Sequence, residues 1–84
     1  NELVSNPYEF NVYPNPATST ITVLTSMLLK GYTLSLLDAH GMELKKQLVN
    51  EAKTQIDISN LDSGVYFIKV ISASNVEVKK VIKK

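Results

Sequence analysis

Seven short runs of alternating apolar and polar residues, broken every eight to twelve residues or so by turn formers, constrain this chain more than any other feature. Successive side chains of a strand point to opposite faces, so a period of two buries one face and wets the other. No window of eleven or more residues carries a convincing helical period, and 26–30 suffices for one helical turn at most. The runs are 9–13, 19–25, 32–38, 42–49, 54–58, 64–72 and 75–82, and they predict an all-β sandwich. Run 9–13 is edge-like and stops at Pro14, which cannot donate to a ladder. Run 19–25 places Ile21 and Val23 on one face and Thr20, Thr22 and Leu24 on the other; run 32–38 groups Tyr32, Leu34 and Leu36. The last two runs form a hairpin that reaches the final residues, so the end of the chain is expected in a strand rather than a loose tail.

Local punctuation refines this outline. Asp38-Ala39-His40-Gly41 fits a type I turn in which glycine supplies a positive φ. In run 42–49, Lys46 falls on the face of Met42, Leu44 and Leu48, so a bulge or an edge position is expected there. Between Ile58 and Tyr66, the spacing of Leu61, Gly64 and Tyr66 resembles a loop of immunoglobulin-like and fibronectin type III sandwiches. There a leucine plugs the bottom of the core and a tyrosine hydroxyl ties the loop backbone. The expected architecture is therefore a seven-stranded antiparallel immunoglobulin-like β-sandwich, in which Leu61→Ala costs about 2–5 kcal/mol as a buried truncation.

Eighty-four residues suit one small domain, near the lower size at which a single core stands without staples. There is no cysteine, which removes disulfides and thiolate metal sites. The segment begins at Asn1 with no apolar run of signal-peptide length, so it is expected to be cut from a longer protein, 1–9 being a linker and 10–84 the domain. No stretch is long and apolar enough for a membrane-spanning helix. Net charge is +1, and all nine basic residues are lysines. A weak global field without guanidinium forks argues against a nucleic-acid partner.

Catalytic constellations are missing from the pattern. His40 is the single histidine and sits in a turn beside Asp38, where an exposed residue tolerant of unusual φ is the ordinary reading. Asp38, Asp57 and Asp62 lack the dense spacing of a calcium loop, and Gly31, Gly41 and Gly64 stand singly rather than as a phosphate cradle. The chain is expected not to be an enzyme and to carry no catalytic, cofactor or metal residues. Tyr8, Phe10, Tyr13, Tyr32, Tyr66 and Phe67 occupy alternating strand positions, which favours packing over a sugar-binding platform.

Tyr13-Pro14-Asn15-Pro16-Ala17 is more specified than packing requires. Two prolines fix φ twice and push Tyr13 and Asn15 toward extended conformations, giving a stiff inter-strand corner or a preformed recognition loop. Taken with the Asp38–Gly41 turn, Leu61-Asp62-Ser63-Gly64-Val65-Tyr66 and the lysines of the final strand, this corner resembles the C-terminal sorting domain of the type IX (Por) secretion system of Bacteroidetes. The resemblance runs from about Phe10 to Lys84. It implies a recognition motif of Pro14, Asn15, Pro16, Gly41, Gly64, Tyr66, Lys79, Lys80, Lys83 and Lys84. The family often has Lys or Arg after the middle glycine, where this chain has Met42.

The resemblance further implies an address that sends an attached cargo across the outer membrane. The partners it implies are components of the type IX translocon, a sortase-like cysteine peptidase that cuts in or before 1–9, and the upstream cargo domain of the same chain. The route it implies is periplasm in transit, then cell surface or secreted. A homodimer through an edge strand stays open. So does the reading of the terminal lysines as charged gatekeepers against edge pairing. The alternative function is an immunoglobulin-like adhesive or carbohydrate-binding accessory module.

Overall fold

The computed structural model describes residues 10–25, 31–72 and 76–84, so the expected helical turn at 26–30 and the linker 1–9 lie outside the described residues. Seven strands follow in order: β1 (Phe10–Tyr13), β2 (Thr20–Thr25), β3 (Tyr32–Leu37), β4 (Glu43–Val49), β5 (Lys53–Asp57), β6 (Gly64–Ile71) and β7 (Val76–Lys83). Each lies within one residue of its expected bounds. They form two antiparallel sheets, one of three strands in the order β1-β2-β5 and one of four in the order β4-β3-β6-β7.

The alternation read from the sequence decides which residues meet between the sheets. Phe10, Ile21, Val23 and Ile56 from the smaller sheet pack against Tyr32, Leu34, Leu36, Ile68, Val70 and Val81 from the larger, all of them buried. Tyr32 is fully buried with its hydroxyl satisfied, donating to Glu51 O at 3.1 Å, while Thr25 Oγ1 beside it donates to Ala52 O at 3.2 Å. Those bonds pin the connection between β4 and β5 to the end of the core. Lys46 is explained twice over: β4 is an edge strand, and its pairing with β3 shifts register at Leu36/Leu37.

β7 inverts the usual hydropathy rule. Within it only Val81 is buried; Glu77, Lys79 and Lys83 share that inward face, whereas Val76, Val78 and Ile82 point out. Pairing with β6 fixes this choice, because Tyr66, Ile68 and Val70 must face the core and their partners Val81, Lys79 and Glu77 follow them. At the edge of the sandwich the inward charges still reach water, and Lys79 Nζ sits 5.7 Å from the centroid of the Phe10 ring.

Candidate functional site

The proline-flanked corner crosses from β1 to the outer edge of β7. Prolines at 14 and 16 remove two backbone donors, so the carboxamide of Asn15 supplies a donor and an acceptor in their place. Asn15 Nδ2 donates to Lys80 O at 3.1 Å, and Ile82 N–H donates to Asn15 Oδ1 at 3.0 Å. One step on, Ala17 N–H donates to Ile82 O and Lys84 N–H donates to Ala17 O, both at 2.8 Å, making a parallel bridge to the end of β7. Residues 80, 82 and 84 are those whose peptide groups face away from β6, so these four bonds cover the outer edge of the last turnless stretch of chain. Both proline peptide bonds of the corner are cis.

Gly64 and Tyr66 belong to the same corner of the molecule. Gly64 opens β6 opposite Lys83, at φ +156°, and Tyr66 lies opposite Val81. The Tyr66 hydroxyl donates to Asp62 O at 2.6 Å, which is the tyrosine tie expected for the loop before β6. Leu61 packs against the core but is only partly buried, so its truncation belongs at the low end of the expected range rather than in the middle.

The other motif residues are dispersed. Gly41 closes the β3–β4 turn at φ +87°, donating to Asp38 O at 3.0 Å, while Asp38 Oδ1 accepts from His40 N–H and Met42 N–H, each at 2.9 Å. That turn lies at the same end of the larger sheet as Gly64 but two strands away from β7. The four lysines also diverge. Lys79 reaches toward Phe10, Lys83 Nζ donates to Lys84 O at 3.2 Å, and Lys80 stands on the outer face opposite Phe67.

Ala17 is the residue that sequence reasoning passed over. It is fully buried and carries both backbone bonds of the bridge, and its smallness beside a proline is the only local hint of so close an approach. The tyrosines considered for a sugar platform do not assemble: Tyr13 is exposed, Tyr32 is in the core, and Tyr8 lies outside the described residues. The carboxylates of Asp38 and Asp57 each bond their own turn, and Asp62 offers its backbone carbonyl to Tyr66. Asp57 Oδ1 accepts from Ser59 N–H at 2.9 Å, and hydrogen bonds from the Ser59 side chain and backbone hold its carboxyl below the usual range against opposing desolvation, with Lys45 adding a lesser attraction. Among the described residues no three His, Cys, Asp or Glu side chains group as metal ligands.

The joining of the Pro14–Ala17 corner to the last strand coincides with a match over residues 11–84 to the family described as the secretion system C-terminal sorting domain. The chain belongs to that family, the type IX secretion C-terminal sorting domains. Comparison with curated proteins finds no match. Among solved structures, the chain is similar to PorZ of Porphyromonas gingivalis, described as an essential bacterial surface component of the type IX secretion system. The TM-score is 0.69 at 18% identity, over 89% of this chain and 11% of PorZ. The chain thus spans about a tenth of that structure's length, and the likeness is one of fold. A sorting domain of this family is a signal for export across the outer membrane to the cell surface or beyond, and the family is not an enzyme family.

Proposed function

We propose that this domain is the folded address of a cargo protein joined to it through residues 1–9, read in the periplasm by components of the type IX translocon and removed by a sortase-like cysteine peptidase in or before that linker. The observation that carries the reading is the clamp. Asn15, set between Pro14 and Pro16, and Ala17 near one end of the sorting domain are hydrogen-bonded to Lys80, Ile82 and Lys84 at the other. A receptor then meets a preorganised surface rather than a disordered tail, and loses less ordering entropy on binding it.

Fusing residues 1–84 behind a periplasmic reporter in a type IX-competent cell should carry the reporter to the surface or the medium, with its new end in or before 1–9 by mass spectrometry. Removing 78–84 should abolish export. Equal export by the truncated fusion would overturn the terminal address, and an exported reporter still bearing the whole domain would overturn the cleavage step.

A further inference from the structure

The outer face of the four-stranded sheet is built unlike the surface of a solitary sandwich. Cross-strand registers arrange it in rows: Leu48, Thr33, Ile71 and Val76 form one, and Lys46, Ser35, Lys69 and Val78 the next. Glu43, Leu37, Phe67 and Lys80 form a third, and Val65 with Ile82 closes the face. Leu48 is 71% exposed and Val76 and Val78 are each 52% exposed, with no described residue packed over them. The equivalent face of the three-stranded sheet is more polar, with Asn11, Thr20, Lys53, Gln55 and Asp57 exposed on it beside Tyr13 and Leu24.

Two facts identify what this face fits. Its aliphatic side chains stand outward even where the same strand turns Glu77, Lys79 and Lys83 inward, so apolar surface is displayed at positions where polar residues would be free of cost. Its charge is predominantly positive: among the described residues of its rows, Lys46, Lys69 and Lys80 interleave with the apolar side chains, against the one carboxylate of Glu43, which accepts the Ser35 hydroxyl at 3.1 Å. We propose that this face docks a partner protein presenting apolar side chains interspersed with carboxylates.

A second copy of the chain is disfavoured, because stacking the face on itself sets three lysines per copy against three, with a single carboxylate, Glu43, on each side to meet them. A lipid surface fits less well, since Phe67 and Leu37, the bulkiest apolar side chains in the middle of the face, are half-buried in its rows, and Leu48 is the one long aliphatic standing well clear of them. Three inter-strand gaps of about 4.8 Å and six residues at about 3.3 Å give an area on the order of 300 Å². That belongs with weak, transient contacts, as a reversible export step requires. Identifying the partner as export machinery rests on the sorting reading above; the chemistry of the face does not.

The test uses the full cargo protein in its own cells, with a photo-crosslinking phenylalanine at Val78 or, on the opposite sheet, at Gln55. From Val78 we expect a crosslink to another protein through a peptide carrying Asp or Glu among apolar residues. Its yield should fall about tenfold in Lys46→Glu/Lys69→Glu and be retained in Lys46→Arg/Lys69→Arg. Protease resistance of the domain checks folding. Should the reversal unfold it, Val76→Thr/Val78→Thr, read from a crosslinker at Leu48, lowers the yield in its place.

Crosslinks to a second copy, to lipid alone, equally from Gln55, or insensitive to every one of these substitutions overturn the proposal, as does no crosslink at all. Export of the unmodified cargo is scored in parallel. If it is exported and the reversal variant is exported and crosslinked equally well, the docking face is wrong and the sorting signal stands. If it is not exported, the sorting reading fails while the crosslinked peptide still reports the partner's chemistry.

Discussion

Replacing Asn15 by alanine removes the carboxamide that stands in for a strand at the outer edge of β7. Two hydrogen bonds are lost, 3.1 Å to Lys80 O and 3.0 Å from Ile82 N–H. Each is worth about 0.5–1.5 kcal/mol in net terms, and because the site is exposed, water takes over part of their role, so about 1 kcal/mol in total is expected. For a domain of this size that lowers the melting temperature by about 4–8 °C. Amide hydrogen exchange locates the effect. Ile82 N–H and Lys84 N–H face the corner, whereas the amides of Val81 and Lys83 face β6. Protection at the first two should fall by about fivefold relative to the second two, since the corner opens without parting the hairpin. Asn15→Asp keeps the acceptor for Ile82 N–H but sets a carboxylate oxygen against Lys80 O, so it should rescue protection incompletely. Unchanged protection at Ile82 and an unchanged melt in Asn15→Ala would refute the claim that the clamp holds the terminal strand.

Tyr66→Phe deletes the 2.6 Å bond to Asp62 O and should cost about 1 kcal/mol in chemical denaturation, with the amides of the loop before β6 exchanging faster. Gly41→Ala meets no atom within 4 Å, so any loss, about 1–2 kcal/mol, reports the φ of +87° alone; Gly41→Asn should recover part of it in the same melt. Asp57 has a lowered folded pKa, so its contribution is complete above the unfolded aspartate value of about 3.9 and disappears as pH falls through the folded value. Exchange at Ser59 N–H, whose acceptor is Asp57 Oδ1, should therefore accelerate only as pH falls below the ordinary aspartate value, after correction for intrinsic rates, and Asp57→Asn should flatten that profile.

What was legible in the sequence is what depends on neighbours in the chain. Period two located all seven strands, Lys46 marked the irregular edge strand, and the Leu61, Gly64 and Tyr66 spacing anticipated the hydroxyl tie to Asp62. Where a residue's meaning is set by a distant strand, the same signals ran out. Asn15 lies 65 residues from Lys80 and 67 from Ile82, and nothing near it says whether the stiff corner is free or bonded. The terminal strand shows the limit most plainly. Read alone, its valines and its isoleucine belong inside and its lysines outside, yet the register with β6 sends Val76, Val78 and Ile82 outward. An edge strand can bear that inversion because its inward charges still reach water. The same inversion leaves its apolar face without a partner inside the domain. Packing within the sandwich explains the buried residue of β7, Val81, while the exposed Val76 and Ile82 pair across the strands with Ile71 and Val65, and the apolar area these pairs leave in water is what a docked surface would cover.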